Sequence, residues 1–133
     1  MQTKDRPFAL CDIVRETARA VHQFLGPGHL ERVYENALVH RLRKRGLQLV
    51  QQQQLLVYDE DGTELGAFTA DLVIEEMLLL ELKATRAVVP EHIAQLLGYL
   101  RAANLEHGAL LNFGTLPFYI KMYGMSRSLR QGR

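Results

Sequence analysis

Apolar residues recur every three or four positions from Phe8 to Leu25, at Leu10, Ile13, Val14, Val21, Phe24 and Leu25 with Ala18 between, and this spacing predicts an amphipathic helix. Pro7 suits its first turn, and Gly26-Pro27-Gly28 ends it. A second helix is expected from about Leu30 to Arg45, with Leu30, Val33, Ala37, Leu38 and Leu42 on one side and Gly46 closing it. The period then shortens. Leu47 to Tyr58 reads as a partly exposed strand, polar in the middle through Gln51 to Gln54, and Asp59 to Gly62 supplies turn chemistry. Glu64 to Ile74 and Leu78 to Ala84 follow as two further strands of a meander. Pro90 opens a third helix that runs to about Asn104. Ile93, Leu96, Leu97, Leu100 and Ala103 form its core stripe, with His92, Gln95 and Tyr99 on a neighbouring polar stripe. Gly108 to Phe113 and Phe118 to Tyr123 are the last strands. A helix crossing from the third strand to Gly108–Phe113 makes that pair parallel. The expected fold is α/β: a mixed sheet of about five strands flanked by helices, one domain over residues 1–125, with a disordered basic tail over 126–133.

Within this pattern the stretch Phe68 to Ala84 stands apart, because its two apolar runs carry charge: Asp71 on the first, Glu81 and Lys83 on the second. A buried charge without a partner costs several kcal/mol. Alternation places Glu81 and Lys83 on one face and Leu82 on the other. An odd turn, Glu75 to Met77, sets Asp71 opposite Glu81 and Thr69 opposite Lys83, whereas a two-residue turn sets Asp71 opposite Leu80 unless a bulge intervenes. The odd turn or a bulge is therefore expected, bringing two carboxylates and an ammonium group to one face.

Composition adds bounds. The 133 residues, 47% hydrophobic and 23% charged, are ordinary for a soluble globular protein. A net charge of +1 neither announces a nucleic-acid binder nor excludes one, since a local basic patch matters more. The lone Cys11 argues against disulfides or a cysteine-rich zinc site and reads as a buried small residue. No apolar run is long enough for a leader or a membrane span, so a cytoplasmic location is expected. His40 to Arg45 is basic, either as cations favoured at a helix C-terminus or as a patch facing phosphate.

Asp71 and Glu81 are hard oxygen donors of the kind Mg²⁺ takes, with water and substrate phosphate completing the shell. Lys83 is placed to orient or deprotonate a water or to stabilise charge developing on a phosphate. Such a set suits phosphodiester hydrolysis. Asp71 followed by Glu81-Leu82-Lys83 resembles the signature of the PD-(D/E)XK nuclease superfamily, whose fold is restriction-endonuclease-like. Gln95-Leu-Leu-Gly-Tyr99 is similar to the Q-x-x-x-Y motif of its RecB-like branch, and Gly28-His-Leu-Glu31-Arg-Val-Tyr34 to the signature of the GxxExxY proteins. The similarity covers roughly Val21 to Tyr123, including Leu110-Leu-Asn-Phe-Gly114, with Ala70 standing where the name-giving proline would be. The resemblance implies a metal site of Glu31, Asp71, Glu81 and the Leu82 carbonyl, holding Mg²⁺ or Mn²⁺. It implies Lys83 as the catalytic lysine, oriented with water or phosphate by Gln95 and Tyr99, and a hydrogen bond from Tyr34 within the site. The implied partner is nucleic acid, DNA first, and a chain too small to surround a duplex leaves room for a homodimer.

Plainer readings stand beside these. Glu81 and Lys83 would make a simple ion pair on an edge strand, Glu31 a first-turn acid favoured by the helix dipole, Gln95 and Tyr99 a polar flank, and Tyr34 a core-edge aromatic. His92 reaches the site only if the Gln95 stripe faces it. The five histidines lack zinc-helix spacing, and neither Cys11 nor the tail serines Ser126 and Ser128 have a visible activating base, which argues against nucleophilic catalysis. A metal-dependent nuclease leads; a non-catalytic nucleic-acid-binding or protein-interaction module is the alternative, and hydrolysis of a smaller phosphate compound a third.

Overall fold

The computed structural model describes residues 5–125, so the tail from Ser126 on, expected to be disordered, lies outside the described residues. The order is α1 (Arg6–Leu25), α2 (Glu31–Lys44), β1 (Leu49–Tyr58), β2 (Glu64–Ile74), β3 (Leu78–Lys83), α3 (Pro90–Ala103), β4 (His107–Asn112) and β5 (Tyr119–Gly124). The strands form one five-stranded sheet in the order β1-β2-β3-β4-β5. Only β3 and β4 are parallel, because α3 carries the chain across the sheet between them; the other neighbours are antiparallel.

Most of the apolar stripe residues become two cores, one on each face, whereas Phe24, Leu30 and Val33, expected on the stripes, are exposed. Leu10, Val14 and Val21 of α1 and Leu38 and Leu42 of α2 pack on Leu72, Ile74, Leu78, Leu80, Leu82 and Leu111. Leu96 and Leu100 of α3 pack on Val73, Leu79 and Leu110. Leu79 therefore marks the α3 face of β3, and by alternation Glu81 and Lys83 share that face. Cys11 is buried in α1, as its apolar context implies.

Ile74 pairs with Leu78, so the β2–β3 turn is the odd one, Glu75 to Met77. Glu75 and Glu76 both adopt left-handed backbone, φ 52° and 59°, and the Met77 N–H closes the turn on the Ile74 carbonyl at 3.0 Å. The ladder runs only from Ile74–Leu78 to Leu72–Leu80. The expected Thr69–Lys83 pair is not part of it, because the strands part at Asp71 and Glu81.

Candidate active site

At the point of parting, two carboxylates replace the backbone acceptors of the ladder. The Asp71 N–H donates to Glu81 Oε2 at 3.0 Å, and the Leu82 N–H donates to Asp71 Oδ2 at 2.7 Å. Each acidic side chain thus holds the opposite strand by accepting one of its backbone N–H groups. The alternation of β2 slips here: Ala70 lies in the α3 core, whereas Leu72 lies in the α1–α2 core. Opposite Asp71, Gln52 interrupts β1 with φ 54°, an uncommon backbone for a residue with a side chain.

Burial dominates the electrostatics. It pushes the Glu81 carboxyl up to about 8, with the Asp71 charge adding to the rise and the Asp71 N–H and Lys83 opposing it. Burial also raises Asp71, against the Leu82 N–H, the Gln52 amide and Lys83. Partial desolvation by the atoms around it, and then the Asp71 charge, raise Glu31, with Lys83 pulling the other way. Desolvation thus leads all three shifts, and the Asp71 charge reaches both Glu31 and Glu81. Lys83 Nζ donates to Gln95 Oε1 at 3.2 Å, so α3 supports the lysine. One turn on, the Tyr99 ring stacks on Phe68 at 3.9 Å. Burial, then the charges of Glu81 and Asp71, raise the pKa of its hydroxyl. Gln95 and Tyr99 are brought to the site together, as three- and four-residue helical spacing allows.

Tyr34 goes elsewhere. It is fully buried, stacked on Phe113 at 4.7 Å, and its hydroxyl donates to the Gly26 carbonyl at 2.6 Å while accepting from the His29 N–H at 3.2 Å. This corrects the expectation of a hydrogen bond within the site: Tyr34 ties down the α1–α2 loop. Gly28, at φ 100°, allows that loop its left-handed turn. The glycine and tyrosine of the G-x-x-E-x-x-Y pattern thus fix where α2 begins, and so where Glu31 stands. His92 is also diverted: its Nδ1 accepts the Val89 N–H at 3.3 Å at the start of α3. The basic cluster of α2 sits at the far end of a 14-residue helix from Glu31, ~20 Å away. Arg45 there bonds Glu16 and Thr17, and Arg41 lies over the Phe24 ring.

Sequence reasoning gave no role to Glu35, Gln51, Gln52 or Asn112. Glu35, 1% exposed, accepts from the amides of Gln51 at 2.6 Å and Gln52 at 2.9 Å, with Arg32 at 3.6 Å. The Gln52 amide also reaches Asp71 Oδ1 at 3.2 Å. Glu35 lies four positions from Glu31, on the same helix face, which was a readable signal. The glutamines gave none beyond polarity. Farther along, buried Asn112 accepts from the Thr85 and Gly114 N–H groups and donates to Thr85 Oγ1, clasping the chain as it leaves Lys83.

Among the described residues, no three or more His, Cys, Asp or Glu side chains are assembled to hold a metal ion. The carboxylates of Asp71 and Glu81 each spend an oxygen on the opposing strand, and Glu31 is exposed at the helix start. The donor set still fits a hard divalent ion, which needs only one or two carboxylates alongside water and phosphate.

A mixed sheet entered by helices, with paired acids at a parted ladder and a lysine two positions on, defines a nuclease-like α/β domain. The family comparison agrees: residues 9–123 match the model of the PD-(D/E)XK nuclease superfamily, and the chain belongs to it. The crystal structure of SSO0001 is similar at 18% identity and a TM-score of 0.57, over 74% of this chain and 52% of that one. At that identity it speaks for the restriction-endonuclease-like fold alone, and this chain spans about half its length. No curated protein matches significantly. No described helix is long and apolar enough to cross a membrane.

Proposed function

We propose that this domain is a metal-dependent nuclease that hydrolyses phosphodiester bonds, with DNA as substrate and Mg²⁺ or Mn²⁺ as the ion. The crossed pair of Asp71 and Glu81, with Lys83 beside it, carries this reading. Asp71 and Glu81 would hold the ion, with Glu31 and the Leu82 carbonyl completing its protein ligands. When bound, the ion supplies Lewis acidity toward a phosphoryl oxygen and makes water more acidic. Lys83, oriented by Gln95, faces the same space and stabilises negative charge on the phosphate as it develops. Tyr99, held flat by Phe68, closes the α3 side and supplies a hydroxyl to orient water or a phosphate oxygen. The G-x-x-E-x-x-Y pattern points to the GxxExxY group within the superfamily, and two copies would embrace a duplex that one cannot.

The test is cleavage of linear duplex, single-stranded and branched DNA and of RNA with Mg²⁺ or Mn²⁺, comparing wild type with Asp71→Ala and Lys83→Ala. Metal-dependent cutting lost in both variants is expected. Equal cutting by all three proteins would refute the assignment, and salt-dependent binding without cutting would favour a non-catalytic module.

A further inference from the structure

We propose that Gln52 is a positioning residue for Asp71, joining its carboxylate to buried Glu35 through one side-chain amide. Its functional consequence rests on the reading of Asp71 as a metal ligand; the bridge itself does not. Glu35 is 1% exposed, and a carboxylate so placed needs donors. It has the Gln51 amide at 2.6 Å and the Gln52 amide at 2.9 Å to each oxygen. The Gln52 nitrogen also lies 3.2 Å from Asp71 Oδ1. An amide NH₂ carries two hydrogens, enough to serve both carboxylates at once, while its oxygen has no use between two acceptors. The bridge therefore fixes the amide orientation and sets the distance between groups that repel when ionised.

The backbone supports this assignment. Gln52 lies between the regular pairs Gln51–Leu72 and Gln53–Ala70, yet has φ 54°. A side chain in left-handed backbone within a strand is strained, and such strain concentrates at sites where geometry matters. The opposite residue is Asp71, where β2 changes which core its side chains enter. The kink aims Gln52 at α2 and Asp71 together. Gln51 provides the contrast, because it holds Glu35 and Asn36 but makes no bond to Asp71.

The experiment is a double-mutant cycle on folding stability in metal-free buffer, pairing Gln52→Leu with Asp71→Asn, beside the same cycle with Gln51→Leu. Mn²⁺ titration of the single variants Gln52→Leu and Gln51→Leu accompanies it. Non-additivity of about twofold or more in the folding constant is expected for the Gln52 pair, and additivity for the Gln51 pair. Gln52→Leu should weaken Mn²⁺ binding about 10- to 100-fold, as loss of a group that orients a ligand does, and Gln51→Leu should leave it within about twofold. Additivity in the Gln52 cycle, or equal effects of the two glutamines on Mn²⁺, would overturn the proposal. Should wild type bind no Mn²⁺, the nuclease reading fails and the cycle still decides the bridge. Gln52→Gly, which relieves the backbone, serves if Gln52→Leu does not fold.

Discussion

Glu81 is 5% exposed and faces Asp71, so its negative charge has little solvent and an unfavourable neighbour. Replacing it by glutamine keeps an acceptor for the Asp71 N–H and removes the charge. Its folded pKa lies above its unfolded one, so the sign is fixed: below pH 4.5 the group is protonated in both states and costs nothing. As pH rises toward about 8 the unfolded chain releases the proton while the native state retains it, and stability falls by ~1.4 kcal/mol per unit. Above about 8 the loss is complete, on the order of 5 kcal/mol, a large part of the 5–15 kcal/mol typical of a domain. Urea denaturation with EDTA present should show wild type and Glu81→Gln within ~1 kcal/mol of each other at pH 5, and the variant more stable by several kcal/mol at pH 8. Mg²⁺ should narrow the gap by stabilising wild type alone. A pH-independent difference, or a less stable variant at pH 8, would refute the reasoning.

Other consequences follow from single contacts. Tyr34→Phe removes the hydroxyl that serves Gly26 and His29 and should cost about 1–3 kcal/mol in denaturation experiments. Gly114→Ala drives a Cβ into the Thr85 backbone carbonyl oxygen, so a lowered Tm and increased protease sensitivity near residue 85 are expected. His22 is buried against Phe113 and Phe118, and among the described residues its Nε2 has no hydrogen-bond partner. His22→Phe should therefore stabilise by ~1 kcal/mol, read as a higher denaturation midpoint.

What could be read in advance depended on how local the signal was. Every helix and strand end falls within two residues of its expected place, because hydrophobic period and the prolines and glycines act locally. Parity narrowed the β2–β3 connection to an odd turn or a bulge, and the structure has the three-residue turn Glu75 to Met77. Parity could not show that the ladder stops there, because that depends on carboxylates taking backbone donors from the opposite strand. Glu35 and Gln52 meet across 17 positions of sequence, and no periodicity within either element announces such a contact. Tyr34 was visible as a residue on the Glu31 helix, but its hydroxyl follows the loop behind it, which spacing does not describe.

The measurement that bears most directly on the parted strands is calorimetric titration of Mn²⁺ into wild type and Asp71→Ala, since it does not depend on guessing the substrate. Saturable binding by wild type that Asp71→Ala loses, with the variant still folded, is the predicted result. No binding by wild type, or the same binding by both proteins, would contradict the claim that the crossed carboxylates hold a divalent ion.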